Sequence, residues 1–188
     1  MASPVLANLR NLRIAEARAA TDALTGLPNA RSAQHSLKRL VAHAGQHLTP
    51  LAAVMLDLDH FKRVNDQHGH GAGDEALAAL GELLRGTLRG TDFAARVGGE
   101  EFMLLLPDSD EDGAVALAEK LRVAVERISA PRVEQPLSAS FGVAVYPRDA
   151  QDGQELLRAA DRALYTAKRT GRNRVVVAER DEAPIESA

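Results

Sequence analysis

The chain has 188 residues, 45% of them hydrophobic, a length that favours one well-packed domain with a short appendage over two domains. A formal net charge of -3, without blocks of like charge, offers no basic surface for a nucleic-acid polymer. The absence of cysteine excludes disulfides and thiolate metal sites, and no apolar run approaches the roughly 20 residues that span a bilayer. We therefore expect a soluble, cytoplasmic protein without membrane contact.

Three parts of the chain are expected to differ in character: an N-terminal connector helix (1–21), a single domain (22–179) and a disordered tail (180–188). The Ala-, Leu-, Arg- and Glu-rich stretch Ala7–Ala23 predicts the helix, but its apolar stripe is too sparse for a lone helix to bury. Two interpretations stay open. It is the end of a coiled coil leading to a sensory or receiver module outside this chain, or an ordinary helix packed on its own domain.

Beyond the turn formers Asp22–Asn29, apolar periodicity predicts alternating helices and strands. The helices are expected at Ala30–Ala44, Glu75–Leu88, Glu111–Ile128 and Gly153–Thr170, the strands at Leu51–Asp59, Leu137–Tyr146 and Arg174–Ala178, and a hairpin at Asp92–Leu106. The polar, glycine-punctuated stretch His60–Gly73 is interpreted as a loop. This order predicts an α/β fold, a mixed central sheet with helices around it and mainly on one face, in which the hairpin lies beside the first strand.

Carboxylates stand at the ends of two of these predicted strands. Leu51–Leu56 is apolar on both faces, as in a central strand, and it runs directly into Asp57. In the hairpin, Gly98 and Gly99 precede Glu100 and Glu101. Two acids meeting at one sheet edge suit Mg²⁺, which takes one or two carboxylates and completes its shell with water and substrate phosphates. The alternative is an ordinary hairpin whose acids form a solvated tip.

Five segments carry most of the chemically informative residues: Asp22–Asn29, Asp57–Asp66, Arg89–Asp92, Gly98–Phe102 and Ala163–Asn173. In their order and at their spacings, they resemble the GGDEF family of diguanylate cyclases. Gly98-Gly99-Glu100-Glu101-Phe102 stands as the GGEEF variant of the family signature, and the resemblance covers about residues 22–177. It implies a fold similar to the palm of polymerases and adenylate cyclases. It also implies that a homodimer, holding one GTP per subunit, makes cyclic di-GMP. One departure is Ala30, which replaces the first arginine of the family's Leu-Pro-Asn-Arg-Arg segment.

The resemblance assigns metal and catalytic roles to a few residues. Asp57, the backbone carbonyl of Leu58 and Glu100 would hold Mg²⁺, with Mn²⁺ as an alternative. Glu100 would also accept the proton of the attacking 3′-hydroxyl, and Glu101 lies close enough in sequence to assist. Asp59 has two interpretations, a second metal ligand or a hydrogen-bonding brace, of which we prefer the brace.

The resemblance also implies a GTP site. Asn65, His70 and Asp74 would hold the guanine nucleotide, and the Asp74 carboxylate would favour guanine, which offers it two N–H donors. Lys62, Lys168 and Arg172 would bind the triphosphate, the last two sharing one helix face through their spacing of four. The remaining residues of the implied site are Phe61, Gly98 and Gly99. For Phe61 and Phe102, core packing is the competing interpretation, and for His68 and His70 it is a transition-metal site.

Arg89 and Asp92 match an Arg-x-x-Asp motif that binds product and inhibits many members of the family, and an ordinary surface ion pair is the alternative. Three functions are compatible with these motifs. The first is an active, product-inhibited cyclase. The second is an inactive receptor for cyclic di-GMP, against which intact Asp57, Glu100, Lys168 and Arg172 speak. The third is a cyclase that acts within one nucleotide.

Overall fold

The computed structural model describes residues 20–133 and 135–179. Most of the predicted connector helix and the predicted tail lie outside the described residues. Ala20 is helical, and Thr21 forms an antiparallel bridge with Pro28. Asp22–Leu27 closes as a tight turn in which Asp22 N donates to Leu27 O at 2.8 Å.

A five-stranded sheet forms the centre of the domain. Its strands are β1 (Leu51–Leu58), β2 (Phe93–Arg96), β3 (Glu101–Pro107), β4 (Ala139–Tyr146) and β5 (Val175–Val177). Their spatial order is β2-β3-β1-β4-β5, and only β4 and β5 run parallel. β1 is central and buried along its whole length, as its two-sided apolar pattern predicts. The mixed sheet and the position of the hairpin beside β1 are thus confirmed.

In the part of the chain that the structure describes, five helices surround the sheet: α1 (Ala30–His47), α2 (Phe61–His68), α3 (His70–Thr87), α4 (Glu111–Val125) and α5 (Gly153–Arg169). Side chains cap three of their N-termini, since Asn29, Asp110 and Asp152 each accept a backbone N–H from the first turn of the helix that follows. None of the helices in the described ranges is both long and apolar enough to cross a membrane.

The helices lie on both faces of the sheet, which corrects the expectation that they lie mainly on one. On one face, α3 and α4 pack on Val54 and Leu56 of β1, and on the other α1 and α5 pack on Ala53 and Met55. Alternate side chains of a strand point to opposite faces, so a central strand that is apolar throughout requires cover on both sides.

The prediction of a loop over His60–Gly73 was wrong. Phe61–His68 is helical, and α3 begins at His70 after a break at Gly69, whose φ is 83°. His68 is therefore the last residue of one helix and His70 the first of the next. Because Phe61 is the single buried residue of α2, the sequence of this helix shows no apolar stripe from which it could be predicted.

Helix α5 approaches the sheet closely at one point. A Cβ on Gly142 of β4 would overlap the backbone of Ala160 and Leu164 in α5. Glycine at this position lets the helix axis lie near the strand. This contact carries the C-terminal end of α5, with Lys168, to the end of the sheet where β1 finishes.

Candidate active site

Strand pairing brings the predicted acids together. Asp57 near the end of β1 is the register partner of Glu101 at the start of β3, and Leu58 N donates to Glu100 O at 3.3 Å. The connecting turn is closed by Val97 N and Gly98 N, which both donate to Glu101 O, at 2.9 and 3.2 Å. The two-glycine turn thus presents its acids beside Asp57, as the sequence predicts.

Lys168 supplies a cation to the same place. Its Nζ lies 2.7 Å from Asp57 Oδ2, with the Asp57 side chain only 7% exposed. Burial raises the pKa of Asp57 to about 6, the hydrogen bond and charge of Lys168 oppose that rise, and Glu100 and Glu101 add to it. Asp57, Glu100 and Glu101 together with Lys168 leave a net negative charge at this end of the sheet, which a divalent cation would neutralise.

Asp161 of α5 is a further acid at this site, and sequence reasoning missed it. Asp161 is an exposed residue, but partial desolvation of its carboxyl raises its pKa, as does the charge of Glu101, while the charge of Lys168 lowers it. Asp161 lies two helical turns before Lys168, on the same side of α5, so the seven-residue spacing could have indicated it.

The predicted placement of Arg172 on the helix face of Lys168 was wrong. α5 ends at Arg169, and Arg172 lies in the following turn with a left-handed backbone, φ 61°. The sequence holds a signal for this end, because Gly171 follows the C-cap residue Thr170 and glycine commonly terminates helices at that position. Arg172 is exposed in this turn.

Arg96 holds the acidic turn from behind, a role that sequence reasoning missed. Its Nη2 and Nε donate to Gly99 O at 2.7 and 3.1 Å, and its Nη1 lies 3.1 and 3.2 Å from the two carboxylate oxygens of Asp22. Burial acts to raise the pKa of Asp22, but hydrogen bonds from Thr25 and Arg96 outweigh it, so the pKa is lowered. One guanidinium therefore joins the acidic turn to the start of the domain.

Asp59 is a brace in this structure. It is 6% exposed, and its carboxylate accepts hydrogen bonds from the hydroxyls of Ser138 at 2.8 Å and Ser140 at 2.7 Å. These bonds support the preferred interpretation, since they connect the end of β1 to the start of β4.

The residues predicted for the guanine nucleotide lie on α2 and α3. Asn65 is on α2, and its Oδ1 is buried without a hydrogen-bond partner among the described residues. It lies against Gly73 of α3, where a Cβ would overlap it. His70 and Asp74 are exposed in the first turns of α3. An unpaired buried acceptor beside exposed polar groups is a place where a ligand can supply donors.

Two further predicted substrate residues lie at the start of α2 in different environments. Phe61 is 8% exposed and belongs to the core, as Phe102 does, so the core-packing interpretation of both side chains is confirmed. Lys62, next to it, is exposed.

The Arg-x-x-Asp segment forms a tight turn before β2. Asp92 Oδ2 accepts from Arg89 N at 2.9 Å, and Asp92 N donates to Arg89 O at 3.0 Å. The carboxylate thus binds the backbone of Arg89, and the Arg89 side chain is exposed. The alternative of a simple ion pair between the two side chains does not describe this turn.

The donor set suits a hard cation that also binds substrate. Within residues 20–133 and 135–179, no three His, Cys, Asp or Glu side chains form a ready-made metal site. Mg²⁺ needs only one or two carboxylates when phosphates and water complete its octahedral shell. Asp57 and Glu100, beside the backbone of Leu58, fit that requirement.

Comparisons with known proteins agree with this geometry. The family model "Diguanylate cyclase, GGDEF domain" matches residues 19–174. The diguanylate cyclase DgcP of Pseudomonas aeruginosa is 42% identical over 163 residues, covering 86% of this chain and 24% of the relative. The coiled coil and GGDEF domain of DgcB from Caulobacter crescentus, solved in complex with c-di-GMP, has a TM-score of 0.86 and 31% identity, with 93% of each chain covered. The active GGEEF domain of a diguanylate cyclase from Vibrio cholerae has a TM-score of 0.76 and 34% identity, covering 81% of this chain and 98% of that one.

The fold and the acidic sheet end thus define the class as a palm-like nucleotidyl cyclase domain. The chain belongs to the GGDEF family of diguanylate cyclases. It spans less than half the length of the curated relatives it matches, between 24% and 46% for the first three.

Proposed function

We propose that this domain is a diguanylate cyclase that condenses two GTP molecules into cyclic di-GMP and releases two pyrophosphates. The observation that carries the proposal is the meeting of Asp57, the Glu100-Glu101 turn and Lys168 at one end of the sheet. Membership of the GGDEF family supports it. Because GTP is a cytoplasmic nucleotide, the proposal includes a cytoplasmic location.

Asp57, the carbonyl of Leu58 and Glu100 would hold Mg²⁺, or Mn²⁺ in its place. The ion would lower the pKa of the 3′-hydroxyl and neutralise charge on the α-phosphate. Glu100, assisted by Glu101, accepts the proton of the 3′-hydroxyl while the hydroxyl oxygen attacks the α-phosphorus. A new P–O bond forms, the bond to the β-phosphate oxygen breaks, and pyrophosphate leaves in line.

The other site residues bind and orient the nucleotide. Lys62, Lys168 and Arg172 attract the triphosphate, and Gly98 and Gly99 let it approach the turn. Asn65, His70 and Asp74 hold the base, where the N–H donors of guanine match the Asp74 carboxylate and adenine would leave it unpaired. The unpaired buried Oδ1 of Asn65 supports a polar ligand on this side of the site.

The product contains two nucleotides, and each domain has one such site, so two subunits must face each other as a homodimer. Arg89 and Asp92 would bind cyclic di-GMP and inhibit the enzyme, since an exposed guanidinium suits both phosphate and guanine. Further sensory or receiver modules would belong to a longer protein, which accords with the greater length of the relatives.

Chromatography of the nucleotides after incubation with GTP and Mg²⁺ tests the proposal. Cyclic di-GMP, formed at a rate that rises more than linearly with protein concentration, is the expected product. Formation of cyclic GMP would contradict the proposal and indicate a cyclase that acts within one nucleotide. Unchanged GTP, together with binding of added cyclic di-GMP, would replace it with a receptor.

A further inference from the structure

The turn that carries Arg172 has an unusual backbone. Three successive residues have positive φ: Gly171 at 130°, Arg172 at 61° and Asn173 at 45°. Glycine adopts this region freely and asparagine tolerates it, but for arginine the conformation is sterically unfavourable. Such a turn persists only where its surroundings hold it in place.

Hydrogen bonds hold this turn on each side of Arg172. On the helix side, Arg172 N donates to Ala167 O at 2.9 Å. On the strand side, the Asn173 side chain donates from Nδ2 to Glu126 at 2.8 Å and accepts from Arg122 at 3.2 Å. The guanidinium of Arg172 has no hydrogen bond or ion pair to any residue in the described part of the chain, so a fixed backbone presents an available cation.

Asp59 connects this turn to the acidic end of β1 by accepting a hydrogen bond. Asn173 N donates to Asp59 Oδ2 at 3.0 Å. The same carboxylate accepts from Ser138 and Ser140, so three of its four lone-pair positions are occupied and it is poorly suited to ligate a metal. Asp59 directly follows β1 and lies two residues after Asp57. One buried carboxylate thus connects the acid end of β1 with the residue next to Arg172.

We propose that Asp59 is a positioning residue for triphosphate binding, which acts by setting Arg172 at a fixed distance from Asp57 and Lys168. This inference rests on the proposed function. Arginine recognises phosphate through a rigid fork of N–H donors, so a shift of its backbone misaligns two hydrogen bonds together. Displacements of about 1 Å can reduce rates by about 100-fold in such sites.

Steady-state kinetics with GTP on the full chain provides the test. We expect D59A and R172A each to raise KM about tenfold, and the double variant to be no worse than R172A because both changes remove one interaction. D59N should restore KM to within about threefold, since its amide oxygen can still accept from Asn173 N while its NH₂ group donates to a serine hydroxyl. Ser138→Ala is the matched control: it removes one bond to Asp59, leaves the Asn173 bond and should change KM less than about twofold.

Binding by calorimetry adds a measurement that a general loss of structure would not reproduce. D59A should weaken GTP binding about tenfold and leave GMP binding unchanged, because GMP lacks the β- and γ-phosphates of the triphosphate that Arg172 would contact. If D59A does not fold, D59N carries the test. Near wild-type KM supports a brace, and loss of Mg²⁺-dependent activity would show that Asp59 is a metal ligand instead.

The two proposals fail in different ways. If the wild-type chain makes no cyclic di-GMP, the proposed function is lost. If it is active but the effects of D59A and R172A multiply, or D59A weakens GTP and GMP equally, the positioning role is overturned while the enzyme assignment stands.

Discussion

Lys168 Nζ, near the end of α5, lies 2.7 Å from Asp57 Oδ2 at the end of β1. The pair links α5 to β1, and the close approach of α5 to the sheet at Gly142 brings these two elements together. It also places a cation, proposed to bind phosphate, beside an acid proposed to bind metal. The site thus contains both charges that a nucleotide–metal complex requires, before such a complex arrives.

Glu100→Gln should abolish turnover without unfolding the protein. The amide cannot accept the proton of the 3′-hydroxyl, and loss of a general base costs about 100- to 10,000-fold in rate. Product formation and thermal melting check the two statements separately. The exposed Glu82→Gln is the control and should leave both unchanged. Full activity of the Glu100 variant would remove this residue from catalysis.

Asp57 should make stability depend on pH in metal-free buffer. Its pKa rises from 3.8 to about 6 on folding, so between these values the folded state binds more protons than the unfolded state. Stability therefore falls as pH rises from about 4 to about 6 and is level above that. Denaturant unfolding of wild type and Asp57→Asn, with EDTA present, should show the variant gaining up to about 3 kcal/mol at pH 8 relative to pH 4. A difference independent of pH would contradict the assignment.

Arg89→Ala should relieve product inhibition. Its side chain is exposed and Asp92 is bonded to its backbone, so the turn should survive the substitution while one phosphate contact is lost. We expect the inhibition constant for cyclic di-GMP to rise at least about tenfold with unchanged initial rates. Arg39→Ala, on the exposed side of α1, is the matched control. An identical inhibition curve for the Arg89 variant would discard this site.

Asp74→Asn should reduce discrimination between GTP and ATP. A carboxylate that accepts two N–H donors of guanine is replaced by an amide that can accept only one, so kcat/KM for GTP should fall about 100-fold. We expect kcat/KM for ATP to change much less. Asp66→Asn, an exposed acid on neighbouring α2, serves as control. Equal losses for both nucleotides would place Asp74 outside base recognition.

Arg96→Lys should destabilise the domain and slow the enzyme together. Lysine keeps the charge but cannot reach Gly99 O and Asp22 at the same time, so charged hydrogen bonds worth about 2 kcal/mol are lost. Urea unfolding and turnover measure the two effects. Lys38→Arg, on the exposed side of α1, should alter neither. Loss of stability without loss of activity would show that the acidic turn does not need this support.

Several features of the fold could be predicted because their signal is local. A run that is apolar on both faces placed β1 at the sheet centre, and the two glycines placed the acidic turn beside it. The helix Phe61–His68 could not be predicted in this way, because Phe61 is its single buried residue and one apolar position has no period. The predicted position of Arg172 was wrong for a different reason. The prediction extended the four-residue spacing from Lys168 beyond the end of α5, which Gly171 marks.

The sequence by itself determined the family, the central strand and the types of residue available for chemistry. Only the tertiary structure decided which of them meet. Arg96 reaches Asp22 across 74 residues, and Asn173 reaches Asp59 across 114. Such contacts depend on strand register and on the way α5 lies against the sheet. Hydrophobic periodicity indicates whether a residue faces the core, but it does not indicate which residue it contacts there.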